Sequence, residues 1–401
     1  MPTLSDVEAA AALLQGVARH TPMREARWLS ERTGGSVVLK CENLQRAGSF
    51  KVRGAYTRIA KLSADQRVKG VVAASAGNHA QGVALAAQKL GIDATVFMPV
   101  AATLPKVAAT RAYGATVILQ GETIDVALEH AREFANGTGA TLIHPFDHAD
   151  IVAGQGTVGL EILDDVPDVD TIVVCTGGGG FLAGVALAVK ARKPSVRVIG
   201  VQAAGAAAYP SSIAEGHPIR LGQMSTMADG IAVGQPGDVP FEIIKTLVDD
   251  IVTVTEEELS QALLLLLERS KLVVEPAGAA AAAAVWAHPE KFPGTTAVTL
   301  SGGNIDPLLL MRVIRHGLAA AGRYLSISIR VPDRPGSLAR LLTDVSEADA
   351  NVVEVEHLRT DPRLAIDEVE VGLQLETRGV EHREQVLSAL HAHGYFVTVT
   401  A

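Results

Sequence analysis

Residues 172–187 read Ile172-Val173-Val174-Cys175-Thr176-Gly177-Gly178-Gly179-Gly180-Phe181-Leu182-Ala183-Gly184-Val185-Ala186-Leu187. The stretch is a short β-branched run, then four glycines, then an apolar pattern of helical character. An apolar run of this length bounded by glycine reads as a strand buried on both faces. Four successive glycines let backbone amides converge on an anion at the start of the following helix, where no side chain obstructs and the helix dipole favours negative charge. A phosphate suits such a loop, and a flexible turn is the plain alternative. Dinucleotide binding is disfavoured, because the spacing is not G-x-G-x-x-G with an acidic residue at the end of the next strand.

The same strand, loop and helix sequence recurs on either side. From about residue 36 to 304, β-branched runs (Val37–Leu39, Val71–Val72, Thr95–Phe97, Thr116–Ile118, Ile172–Val174, Val196–Val201, Ile251–Val254) alternate with alanine-rich helical patterns. Such alternation predicts parallel strands covered by helices, since parallel pairs need long crossovers that bury both sheet faces. An α/β region follows. Thr255-Glu256-Glu257-Glu258 predicts a capping box opening a helix through Leu267.

Two further loops follow strands as the glycine loop does. Ser75-Ala76-Gly77-Asn78-His79-Ala80-Gln81-Gly82 follows Val71–Ala74, and its amides and the Ser75, Asn78 and His79 side chains suit a carboxylate, with Asn78 also able to donate to a phenolate-like oxygen. Turn and cap chemistry is the bland reading of these residues. Ser301-Gly302-Gly303-Asn304 follows Ala297–Leu300, again at the strand end where α/β sheets collect ligands. Three such loops imply one crevice. Lys51, in the uncharged Gly48-Ser49-Phe50-Lys51 approach to a helix through Ala60, completes the set. A desolvated lysine amine has a lowered pKa and forms a Schiff base with a carbonyl. Pyridoxal phosphate supplies both that carbonyl and a phosphate that needs its own cradle. The pattern therefore points to a pyridoxal-phosphate enzyme acting on an amino acid.

Composition narrows the rest. At 401 residues, two or three domains are expected. With 35 Lys+Arg against 44 Asp+Glu and a net charge of -9, no nucleic-acid partner is expected. Cys41 and Cys175 are too few for a disulfide framework or a metal site, so a reducing, cytoplasmic setting is expected. The acidic start (Asp6, Glu8) does not suit a secretory signal, and Pro276–Ala287 is too short to span a bilayer, so no membrane association is expected.

After Ile314 the segment 316–323 reads as a linker, and from residue 324 the period changes to alternation in Leu325-Ser326-Ile327-Ser328-Ile329-Arg330-Val331. Helix 336–347, strands 351–358 and 368–375, helix 381–391 and strand 395–400 follow, the βαββαβ order of a ferredoxin-like domain over residues 324–401.

These motifs, taken in order, resemble the fold-type II pyridoxal-phosphate enzymes, and within them the threonine dehydratases, also called threonine ammonia-lyases or deaminases. Glu42-Asn43-Leu44-Gln45, Gly48-Ser49-Phe50-Lys51-Val52-Arg53-Gly54-Ala55, Ser75 to Gly82, Thr176 to Gly180, Glu275-Pro276-Ala277-Gly278 and Ser301 to Asn304 carry the likeness over residues 1–315. The resemblance implies a tryptophan-synthase-β-like catalytic region of two open parallel-sheet lobes, the smaller and mobile one covering about residues 46–145. It implies Lys51 as the Schiff-base lysine, and Phe50, Asn78, Gly177, Gly178, Gly179, Gly180 and Ser301 around the cofactor, Ser301 at its ring nitrogen. Ser75, Ala76, Gly77, Asn78 and His79 are implied around the substrate carboxylate. The C-terminal part resembles an ACT domain, with Asp333, Arg334, Gly336 and Ser337 at the turn expected to take an amino-acid effector, isoleucine or valine; a plain dimerisation sheet is the alternative there.

The implied activity is dehydration of L-threonine to 2-oxobutyrate and ammonia, with L-serine giving pyruvate, in a homo-oligomer that is a tetramer by family expectation. A neutral Ser301 disfavours a long-lived carbanion and so transamination. Racemisation is expected to be weak, because the related serine racemases carry a second serine where Ala76 stands. No metal site is expected there, a monovalent cation being left open: the racemases' acidic ligands for a divalent metal after the strand Val196–Val201 give way here to Gln202 and Ala206–Ala208. Competing readings are a catabolic role, a β-replacement enzyme, and a non-catalytic sensor.

Overall fold

The computed structural model describes residues 1–359 and 364–400. Residues 360–363 and Ala401 of the expected second domain lie outside the described residues. The chain forms two compact units, Met1–Leu310 and Met311–Ala401. The division falls inside a helix, Pro307–Ala320, so residues 316–320 of the stretch read as a linker are its last turns. Val313 and Gly317, four apart, are that helix's buried positions, so Gly317 lies on its packed stripe.

Among the described residues the first unit contains ten strands. The chain lays down β1 (Met23–Glu25) and β2 (Ser36–Lys40), then leaves for β3 (Val71–Ala74), β4 (Ala94–Met98), β5 (Thr116–Leu119) and β6 (Thr141–Leu142). It returns for β7 (Thr171–Cys175), β8 (Arg197–Ala203), β9 (Asp250–Val254) and β10 (Thr295–Thr299). The strands sort into a six-stranded sheet of order β1-β2-β10-β7-β8-β9 and a four-stranded sheet of order β5-β4-β3-β6. All pairings are parallel except β1 with β2. These are the two parallel-sheet lobes of the expected fold class. β7 is buried at every position, as a central parallel strand must be.

Helices cover the sheets on both faces. The alanine-rich helix Pro276–Ala287 is buried on nearly every side, and its small side chains allow close approach to the strands it crosses. The helix after Thr255 has the expected capping box, with Thr255 Oγ1 accepting from the Glu258 amide at 3.2 Å and Glu258 returning to the Thr255 amide at 2.7 Å. It runs as an α-helix only over Glu256–Leu265 and widens into a π-turn at Leu266–Ser270, which apolar periodicity cannot distinguish from continued helix.

The second unit is an antiparallel sheet of order β12-β13-β11-β14, from β11 (Tyr324–Pro332), β12 (Asn351–Leu358), β13 (Glu368–Glu376) and β14 (Val397–Val399). Helices Ser337–Glu347 and Val380–Ala392 complete the βαββαβ order. Strict alternation places Leu325, Ile327, Ile329 and Val331 on the buried face with Val369, Val371, Leu373 and Leu375, the period-2 signature of a half-buried sheet.

Candidate active site

The strand order of the large sheet assembles the site. Insertion of β10 between β2 and β7 brings Ser301 beside the Lys51 segment: the Phe50 amide donates to Ser301 O at 3.2 Å, and Ser49 bridges Gly302. The glycine loop leaves the neighbouring strand β7. Loop 75–79 leaves the end of β3 in the small sheet and closes the cleft from the other side. Phe50, Lys51, Ser75–His79, Gly177–Gly180, Glu275 and Ser301 line one cavity of about 1280 Å³.

Lys51 is the first residue of the helix Lys51–Ala60. Its Nζ donates to Pro145 O at 3.2 Å and lies 5.1 Å from the Phe50 ring, which stacks on Phe181 at 4.1 Å. Burial pushes the Lys51 amine down to about 8, against the opposing pull of Cys175 and Glu275. About a tenth of the amine is thus uncharged at pH 7, far more than for an ordinary lysine, and that is the state a nucleophile or base requires.

What fixes this helix is two residues further on. Arg53, 1% exposed, meets fully buried Glu42 through Nε and Nη2, both at 2.8 Å, and Glu161 through Nη1 at 2.6 Å and Nη2 at 3.0 Å. Burial works against its charge, but the two carboxylates outweigh it and hold Arg53 firmly protonated. Lys40, also buried, reaches Glu161 at 2.8 Å. The network ties the start of the Lys51 helix to β2 and to the helix Ala149–Asp165.

The glycine loop has the features an anion cradle needs. Among the described residues, the amides of Gly177, Gly178 and Gly179 have no acceptor, and the helix Gly180–Arg192 begins directly after them. No side chain fits: a Cβ on Gly178 would overlap the Phe146 ring, and one on Gly179 the Tyr209 hydroxyl. Gly179 also lies at φ +99°, a conformation glycine adopts freely. In loop 75–79 the Ser75 amide is spent on the sheet, donating to Phe97 O at 3.1 Å, and the Gly77 amide donates to Ser75 Oγ at 3.1 Å. The amides of Ala76, Asn78 and His79 have no acceptor among the described residues.

The structure gives two expected side chains further duties. His79 turns its ring away, Nε2 pairing with Ile143 O at 2.7 Å, and burial pushes it down to about 3, so it is neutral and only its amide faces the loop. Asn78 Nδ2 donates to Glu275 Oε1, and Asn78 Oδ1 accepts from Asn304 Nδ2 at 2.8 Å. Glu275 was legible only as part of a motif. Burial, helped by Asp229, raises its carboxyl to about 7. Ser301 is 3% exposed and adds no charge.

Sequence reasoning missed His144-Pro145-Phe146-Asp147, which supplies the Lys51 acceptor and packs on the glycine loop. Its only signal was a proline-interrupted stretch after the two-residue strand β6. Also unforeseen was Lys106 on Leu104–Ala112, which pairs with Asp229 at 2.8 Å across the cleft mouth.

Residues 14–303 match the family described as pyridoxal-phosphate dependent enzymes, and residues 325–394 match the ACT domain. An L-threonine ammonia-lyase of Thermotoga maritima is 47% identical over 399 residues, all of both chains. The chain belongs to the threonine ammonia-lyase family of pyridoxal-phosphate-dependent enzymes. A Geobacter sulfurreducens L-threonine ammonia-lyase is 45% identical over 95% of both chains, and a catabolic L-threonine dehydratase of Staphylococcus aureus is 44% identical over 80% of this chain and 94% of its own. Among solved structures, a threonine deaminase from T.th. superposes with a TM-score of 0.73 at 43% identity, covering 76% of this chain and 99% of its own. Maize serine racemase gives 0.74 at 35% identity, covering 79% and 98%.

In the ACT unit, Gly336 at φ +92° caps the helix Ser337–Glu347, while the Asp333 side chain pairs with Arg359 at 3.3 Å and the Ser337 amide closes the turn on Arg334 O. Among the described residues, no helix is long and apolar enough to cross a membrane.

Proposed function

We propose that the protein deaminates L-threonine to 2-oxobutyrate and ammonia, and L-serine to pyruvate, as the first step of isoleucine synthesis under amino-acid control through the ACT unit. The observation that carries this is a cleft joining a partly deprotonated, buried lysine to two sets of unpaired backbone amides. The residues fit the cofactor: the glycine amides would hold its phosphate, Ser301 its ring nitrogen, Asn78 its phenolic oxygen, and Lys51 its aldehyde carbon. When bound, pyridoxal phosphate supplies the carbonyl that takes the substrate amine and the conjugated ring that accepts charge from the α-carbon.

The chain's own residues do the rest. The free amides of Ala76, Asn78 and His79 hold the substrate carboxylate at the start of a helix, where the dipole favours it. The Lys51 amine takes the α-proton onto Nζ, with Pro145 O accepting from it and fixing its position. Ser301, being neutral, would give the cofactor ring no full counter-charge, which favours prompt departure of the β-hydroxyl. Ala76 offers no proton to the opposite face, so racemisation stays minor. Over the whole reaction, the water lost on elimination is regained when the released enamine hydrolyses to oxo-acid and ammonia.

Isoleucine or valine at Asp333, Arg334, Gly336 and Ser337, in ACT domains paired across a cytoplasmic homotetramer, would shift the catalytic cleft toward a less active form, with a coupling of about 1 to 3 kcal/mol. A catabolic role is the second reading, favoured by the S. aureus relative. Oxo-acid release from both substrates, for the parent beside Lys51→Ala and with either effector, tests these statements. Loss of product in the variant supports the lyase; activity indifferent to both amino acids removes the biosynthetic control.

A further inference from the structure

One polar group of the cleft is used by neither the cofactor nor the carboxylate cradle. His144 lines the cavity beside Lys51. Its Nδ1 accepts from the Asp147 amide at 2.8 Å and, more weakly, from the Phe146 amide at 3.4 Å. A ring nitrogen that accepts from an N–H carries no proton itself, so the proton of the neutral ring is on Nε2. Burial keeps the ring neutral by pushing it down to about 4. The Phe146 ring packs edge-on against it at 4.7 Å and fixes its plane. Among the described residues, Nε2 has no partner. His144 therefore brings one oriented neutral N–H donor to the cavity lining, on the segment whose next residue, Pro145, holds the Lys51 amine.

An amino-acid substrate has three polar groups. Its amine goes to the cofactor and its carboxylate to the amides of loop 75–79, which leaves the β-hydroxyl without a partner. We infer that His144 is a catalytic residue whose Nε2–H donates a hydrogen bond to the β-hydroxyl oxygen of the substrate as the bond from that oxygen to the β-carbon breaks. This rests on the proposed lyase reading. The imidazole keeps its proton and no imidazolate forms: it stabilises charge developing on the departing oxygen, which takes up the proton that Lys51 Nζ removed from the α-carbon and leaves as water. A neutral donor fits better than a cationic one, since a charged ring beside Lys51 would drive the amine's proton off and would itself be costly to bury.

Two variants separate the two ring nitrogens. His144→Asn retains an acceptor at the position of Nδ1 and removes the Nε2 donor; His144→Gln places an N–H near Nε2 and gives up the Nδ1 acceptor. Each is assayed as holoenzyme on L-threonine, L-serine and β-chloro-L-alanine, whose chloride departs without a hydrogen bond to oxygen. Visible absorbance of the bound cofactor and the thermal midpoint monitor the site. His144→Asn is expected to lower kcat on both hydroxy amino acids by about 100-fold to 1000-fold, the usual effect of losing one oriented donor, while β-chloroalanine turnover and cofactor absorbance stay within threefold of the parent. His144→Gln should recover at least a tenth of parental kcat. The inference is overturned if the Asn variant keeps threonine turnover, if all three substrates fall together, or if the cofactor band is lost, each of which reduces His144 to a loop support. A parent that makes no oxo-acid from either hydroxy amino acid overturns the lyase reading as well, a result distinct from all of these.

Discussion

Gly179→Ala probes the anion cradle most directly. The residue lies at φ +99° and ψ -13°, where a Cβ costs about 1 to 2 kcal/mol. The added methyl would overlap the Tyr209 hydroxyl and come within 2.9 Å of Ile244 Cδ1 and Pro240 Cβ, overpacking that costs about 1 to 3 kcal/mol. The loop can relieve this sum of about 2 to 5 kcal/mol only by moving, and its amides then no longer converge. Taken wholly as lost cofactor affinity, even the lower bound is about 30-fold in Kd. Titration of apoenzyme with pyridoxal phosphate, read by absorbance, measures it. Adding Tyr209→Phe removes the worst overlap and sacrifices the bond from Tyr209 Oη to Gly178 O at 3.2 Å, about 1 kcal/mol, so the double variant should bind more tightly than the single while remaining weaker than the parent. Single-variant affinity within threefold of the parent, or no gain from the second change, would refute the cradle.

Three further outcomes follow from the charges around the site. Arg53→Met strands the buried Glu42 carboxylate and should destabilise the fold by about 3 to 5 kcal/mol in urea melts; adding Glu42→Gln should restore more than half, and equal losses in both would contradict the network's role. In the cofactor-free protein, Glu275 keeps its proton up to about 7 against an ordinary 4.5, held there by burial and Asp229 with Asn78, Lys106 and Lys51 opposing. Because the folded state binds a proton the unfolded chain releases, stability falls as pH rises through that window, by roughly 3 kcal/mol for this group. Glu275→Gln should flatten this slope, and an unchanged pH profile of thermal midpoints would show the carboxyl is not raised. Lys106→Ala breaks a pair whose Asp229 side is 60% exposed, so KM for threonine should change by no more than about fivefold, with the difference shrinking at high salt; a larger, salt-insensitive change would mean Lys106 touches substrate.

Much of the site was legible because its chemistry demands unusual residues at local spacings. Four consecutive glycines after a buried strand have few uses besides close backbone approach to a ligand, and a lysine opening a helix in an uncharged stretch stands out. The side chains whose roles changed are those whose partners are remote in sequence. His79 reads as a carboxylate ligand until Ile143 O, 64 residues on, takes its ring. His144 gave no signal beyond its proline-interrupted stretch, because a histidine before a proline looks like any turn until its neighbours show which nitrogen is free.

The sequence by itself determined the element types, the glycine, serine and lysine loops, the change of period that marks the ACT domain, and the family. Those features are local: strand alternation, helix capping and backbone freedom are set within a few residues. Only the tertiary structure decided the order of the strands within the first unit's two sheets, with β10 inserted between β2 and β7. Strand order depends on which buried faces match after long crossovers, and nothing within one strand encodes its neighbours. That order puts Ser301 against Phe50, some 250 residues earlier in the chain, and sets the burial that brings Lys51 down to about 8. Desolvation belongs to the assembled cleft, so the reactivity of the lysine is a property of the fold.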